Sequence, residues 1–123
     1  MRAGASGARL GRVIVALGDV YAQVPQRAAA QEAMLEAQHA ALEQDGCVAF
    51  VFAEALGEPG HFVVVQRWRD PAALREHYRS ESFFRYEAAI QPLLVRESEL
   101  RVHVVEDEIT PVDDAGLDLH QDD

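Results

Sequence analysis

Phe62-Val63-Val64-Val65-Gln66-Arg67-Trp68-Arg69-Asp70-Pro71 is the stretch on which the reading of this chain turns. It opens as a strand that is apolar at both parities. It closes on Asp70-Pro71, a helix start, because Asp caps the free N–H groups of a first turn and Pro suits the first helical position. Beyond it, Leu74, His77 and Tyr78 recur at three-to-four spacing along one helix face. A strand thus delivers Trp68, and the next helix delivers His77, to the same end of a sheet. An aromatic wall beside a titratable imidazole is a common way to build a small-molecule site.

Working outward, Glu58-Pro59-Gly60 is turn chemistry. It joins the strand His61 to Arg69 to an earlier strand, Cys47 to Leu56, as a hairpin. Arg12 to Val20 reads as the first strand. Pro25 opens a helix over 26–44 that is dense in Ala, Glu, Gln and Leu, all good helix formers. On that helix Leu35 and Leu42 share one face, and Met34, Ala37 and Ala41 form an adjoining face of small residues. Asp45-Gly46 stops it, with Gly46 as a left-handed cap. A further helix spans about Ser82 to Leu94, with Phe83, Tyr86, Ile90 and Leu93 on one stripe. Leu100 to Glu106 is the last strand, with Leu100, Val102 and Val104 on one face and Arg101 and His103 on the other. The order strand, helix, strand, strand, helix, strand is the split βαβ, or ferredoxin-like, pattern. It predicts an α+β fold, a ferredoxin-like sandwich with an antiparallel sheet and helices on one face.

Helices on one face should leave the other face polar. Val13 to Leu17, Val48 to Ala53 and Phe62 to Val65 are apolar on both parities instead. The bare face would expose roughly several hundred Å² of apolar surface, which monomers avoid. The simplest cover is the same face of a second copy, so the pattern predicts a homodimer through the sheet face.

The chain has 123 residues, 49% of them apolar, enough for one domain with a small core. The expected organisation is an N-terminal segment at 1–11, a folded domain at 12–106 and an acidic tail at 107–123. Net charge is -10, which argues against nucleic acid as a partner. Eight of the 21 acids fall from Glu106 onward, where there is no Lys or Arg, so 13 acids face 11 Arg in the remainder. No run approaches the ~18–20 apolar residues of a membrane span. Cys47 is the only cysteine, which excludes an internal disulfide and fits the cytoplasm. All eleven basic residues are Arg, and there is no Lys or Asn. Schiff-base lysines and asparagine amides are therefore excluded from any mechanism. Five His without close pairing and one Cys give no metal site, and no Gly-rich phosphate loop precedes a helix.

Gly46-Cys47 opening a strand, Trp68 ending one, Asp70, Leu74 and His77 in the helix that follows, and Phe84 in the next together resemble the antibiotic biosynthesis monooxygenase family, over about residues 12–106. That family belongs to the dimeric α+β barrels. The resemblance implies a homodimer whose two sheets pack into a barrel, and one small-molecule cavity per subunit between sheet and helices. It implies oxygenation of an aromatic polyphenol or anthrone without metal, flavin or other cofactor. The substrate itself, as carbanion or phenolate, passes an electron to oxygen, while the protein supplies a dry pocket, an oxyanion donor and proton transfer. Quinone-forming relatives place an Asn one turn of strand before the Trp; that position here is Val64. Haem-degrading relatives place an Asn on the first strand and a His in the last helix; Tyr86 and Glu87 stand at the helix positions here, so haem degradation is not expected.

His77 is the candidate acid/base group, since an ordinary imidazole titrates near pH 6.5. Its plain alternative is a hydrogen-bonded histidine at a helix edge. Trp68 is the candidate stacking surface, or else a core aromatic at a strand end. Leu74 and Phe84 complete the expected apolar wall, with Phe83 as the other aromatic that could enter from the same helix. Tyr78 is a candidate hydroxyl donor, as is Tyr86, or both are packing residues with a wet tip. His39 is placed to line the same cavity, or to sit at the surface edge. Arg67 and Arg69 flank Trp68 and point to the opposite face, where a polar rim or a dimer ion pair is their role. Cys47 is a small core residue. A binding protein without turnover, or a structural homodimer of the same fold, is the alternative to an enzyme.

Overall fold

The computed structural model describes residues 13–111; the segment read as 1–11 and residues 112–123 of the tail lie outside the described residues. The elements run β1 (Val13–Tyr21), α1 (Arg27–Leu42), β2 (Cys47–Glu54), β3 (His61–Trp68), α2 (Pro71–Tyr78), α3 (Glu81–Ile90) and β4 (Glu99–Val105). Single 3-10 turns precede α1 and follow α3, each around a proline, Pro25 and Pro92. The four strands form one sheet in the order β2-β3-β1-β4, and every pairing is antiparallel. This is the ferredoxin-like α+β arrangement.

Register decides which side chains meet the helices. Ile14 lies opposite Trp68, Val20 opposite Phe62 and Phe50 opposite Gln66. These positions face the helix layer, and Ile14, Ala16, Val20, Phe62, Val64 and Trp68 are buried there. Two core clusters result. One gathers Ile14, Ala41, Phe50, Val64, Trp68, Ala73 and Leu74. The other gathers Val20, Ala22, Ala30, Met34, Phe62 and Ile90. At Gly46 the backbone turns with φ +86°, and an added Cβ would sit 2.5 Å from that of Ala73. Glycine there both ends the α1 connection and lets β2 start hard against α2.

Three sequence expectations differ from the structure. In α1 the buried stripe is Ala30, Met34 and Ala41, while Leu35 and Leu42 are 53% and 47% exposed. Small side chains let the helix lie close to the sheet, and that closeness outweighs the larger apolar faces. β2 carries an irregularity between Cys47 and Ala49, which pushes Val48 out to solvent and breaks the simple alternation. On β4, Leu100, Val102 and Val104 share the helix-facing side as expected, yet remain 39%, 48% and 53% exposed, because the helix layer stops short of this edge strand.

The other sheet face has no cover among the described residues. Val15, Leu17, Val51, Val63 and Val65 lie there in mutual register. Its rim is polar. His61 Nε2 meets Asp19 Oδ1 at 2.8 Å, Arg101 reaches Asp19 at 3.8 Å, and Arg67 pairs with Glu108 at 2.7 Å. Arg69, beyond the strand end, pairs with Asp45 and Asp70.

Candidate functional site

Strand parity sends Val64, Gln66 and Trp68 toward the helices, and Gln66 is the one polar member. It is 4% exposed, so its amide must find partners. Trp68 Nε1 donates to Gln66 Oε1 at 2.9 Å. An indole nitrogen can only donate, so Oε1 is fixed as acceptor and the amide nitrogen is turned to donate on the side of the Tyr78 hydroxyl.

The α2 helix brings His77 to this spot. Asp70 caps it, Oδ1 accepting from Ala73 N at 2.9 Å, and Pro71 starts it. His77 is 6% exposed. Its ring lies 4.9 Å from Trp68, 5.0 Å from Tyr78, 5.5 Å from Phe50 and 5.5 Å from Phe83, centroid to centroid. Nδ1 is 2.8 Å from Gln44 Oε1, and the Gln44 amide nitrogen donates to Ser82 Oγ at 3.2 Å. Gln44 therefore accepts from Nδ1–H, which leaves the lone pair on Nε2. Burial lowers the imidazole pKa to about 4, so the ring is neutral across the neutral range.

These two groups sit in a cavity of about 230 Å³. Its buried floor is Val20, Phe50, Val64, Gln66 and His77. Phe52, Tyr78, Phe83 and Tyr86 form aromatic walls, and Ser98, Glu99 and Leu100 at the start of β4, with Glu87 of α3, mark the mouth. Burial pushes the Tyr78 hydroxyl up in pKa, the neighbouring Gln66 amide acts against that, and the Glu87 carboxylate adds to it. Tyr86 is pushed up too, by burial and then by Glu87 and Tyr78.

Of the residues expected from sequence, His77 and Tyr78 line the cavity. Trp68 does not: at 0% exposed it lies behind His77 and Gln66, against Ile14 and Phe50. Leu74 is buried in the same cluster and also does not line the cavity. Phe84 is 59% exposed on the outer face of α3, and Phe83 takes the place expected of it. His39 is exposed on α1, away from the lining. Gln66 went unread as a site residue; its signal is parity, two residues before Trp68 on the covered face. Among the described residues no three His, Cys, Asp or Glu side chains group as metal ligands, and no helix is long and apolar enough to cross a membrane.

Sheet and helices together make a ferredoxin-like α+β fold with a cavity between the sheet and the helix layer. The family model described as antibiotic biosynthesis monooxygenase matches residues 13–89, and the chain belongs to that family. Its fold is similar to that of Rv0793 from Mycobacterium tuberculosis, at TM-score 0.73 and 23% identity over 80% of this chain and 99% of that one. A Deinococcus radiodurans protein named for the same family has TM-score 0.75 and 21% identity over 79% of this chain and 96% of its own. PA3566 from Pseudomonas aeruginosa has TM-score 0.72 and 18% identity over 79% and 97%. At such identities the likeness is one of fold. Among curated proteins none matches the chain.

Proposed function

We propose that the protein is a cofactor-independent monooxygenase acting on a phenolic aromatic of two or three fused rings, of the anthrone or quinol type. One observation carries the reading: an amide donor on Gln66 and the imidazole of His77 share the floor of an otherwise aromatic and aliphatic cavity. The cavity, at about 230 Å³, falls below the ~300–1,000 Å³ of drug-sized sites, which favours a small ring system. In this reading the substrate hydroxyl donates to His77 Nε2. Gln66 stabilises the oxyanion as the proton moves to the imidazole. The phenolate passes one electron to dioxygen, the two radicals join in a C–O bond, and loss of water leaves the quinone. One oxygen atom enters the product and the other departs as water. The apolar sheet face, bare among the described residues, supports a homodimer as the working unit.

A second reading, binding of a similar molecule without turnover, has its own support. The burial that holds the His77 pKa near 4 also makes it a weak base. The test is dioxygen uptake with anthrone, whose conversion to anthraquinone and water takes up one dioxygen, in the presence of a chelator. Quinone should form one-to-one with oxygen consumed, and His77→Ala should slow it about 10²-fold, the scale of a lost general base. Ligand binding without uptake above background selects the second reading; no binding overturns both.

A further inference from the structure

We infer that the cavity selects by charge, taking uncharged aromatic ligands and rejecting carboxylated ones, with Glu87 as the residue that sets this rule. The inference rests on reading the cavity as an aromatic-ligand site. The chain has no Lys, and among the described residues no Arg lines the cavity. Arg85, the α3 arginine near it, lines a separate surface groove and pairs with Glu81 at 3.7 Å. Arg27 is held by Glu54, Arg67 by Glu108, and Arg101 lies on the far face of the sheet. The polar groups inside are neutral: the Gln66 amide, the tyrosine hydroxyls, Ser82 and an imidazole kept uncharged by burial.

Two carboxylates, Glu87 and Glu99, stand at the mouth. Glu87 is half-buried and held in place by Gln91, whose amide nitrogen donates to it at 3.1 Å. Its field reaches inward, since it disfavours ionisation of both Tyr78 and Tyr86. A ligand carboxylate entering this cavity would give up its hydration without meeting a cation, and would face like charge on the way in. A phenol keeps its hydrogen bonds through Gln66 and His77 and meets neither cost.

Three ligands of one skeleton test this by equilibrium dialysis or calorimetry on the full chain at neutral pH: 1-naphthol, 1-hydroxy-2-naphthamide and 1-hydroxy-2-naphthoate. The naphthol and the amide should bind alike, and the naphthoate about tenfold more weakly or worse. Because amide and carboxylate match in size, that gap reports charge. Glu87→Gln should narrow the gap between naphthoate and naphthamide, with an unchanged circular dichroism spectrum as the check on folding. Equal or tighter binding of the naphthoate by the unaltered chain overturns the charge rule and leaves the aromatic site standing. Failure of all three to bind removes the aromatic site and the rule with it.

Discussion

His77 and His61 sit on opposite faces of the sheet and titrate in opposite directions. Burial among aromatic rings lowers His77 to about 4. Between there and the ordinary imidazole value near 6.5, the unfolded chain binds a proton that the folded chain refuses, so stability rises with pH at about 1.4 kcal/mol per unit. His61 is raised, first by its hydrogen bond to Asp19 and then by Glu58. Its contribution is complete below about 6.5 and is lost as pH climbs through its folded value. The two windows adjoin. Urea midpoints should therefore peak near pH 6.5; His77→Gln should flatten the acid limb and His61→Gln the alkaline one. A profile unchanged by both substitutions would contradict the assignment. Sequence gave a reader His77 and Tyr78 because helical spacing is periodic. It hid Gln66, since a lone polar residue in a strand reads as a rim position until pairing shows which face is covered. The apolar stripe already held Phe83 with Tyr86 and Ile90; Phe84, favoured through the family resemblance, stands about 100° round the helix on its outer face.

At the scale of elements, α2 is only eight residues long, too short to hold itself in water. Its cap and its packing on Trp68 keep it in place, and with it His77. Asp70→Ala should cost about 1 kcal/mol in urea unfolding, the usual worth of an N-cap. Asp70→Ser should restore most of it, since a hydroxyl also accepts from Ala73 N. If the Arg69 ion pair were what mattered, Ser would be no better than Ala. The order and type of every strand and helix are legible in the sequence, as are the Gly46 and Asp70 stops, because caps and turns are local chemistry. The burial of Ala30 and Ala41 in preference to Leu35 and Leu42 is not, because close approach of helix and sheet is a tertiary fact.

For the molecule as a whole, the apolar face of Val15, Leu17, Val51, Val63 and Val65 is bare among the described residues, and a second copy is its simplest cover. Val65, 40% exposed near its centre, is the point of leverage. Light scattering at micromolar concentration should give twice the chain mass. Val65→Glu should give a single chain mass with an unchanged circular dichroism spectrum, because a glutamate buried against its own symmetry mate is unpaired. A clean monomer before substitution would remove the dimer.

The chain's one tryptophan lies fully buried, in ring contact with one histidine. That makes the protein its own optical probe. Emission should be blue-shifted, as from an indole out of water, and every photon should come from a fluorophore 4.9 Å from the His77 ring. An imidazolium quenches indole emission where a neutral imidazole does not. Acidification toward about pH 4 should therefore dim the signal while the fold persists, and His77→Gln should abolish that dimming. A ligand seated in the cavity and hydrogen-bonded to His77 should shift the same titration, so occupancy can be followed without a label.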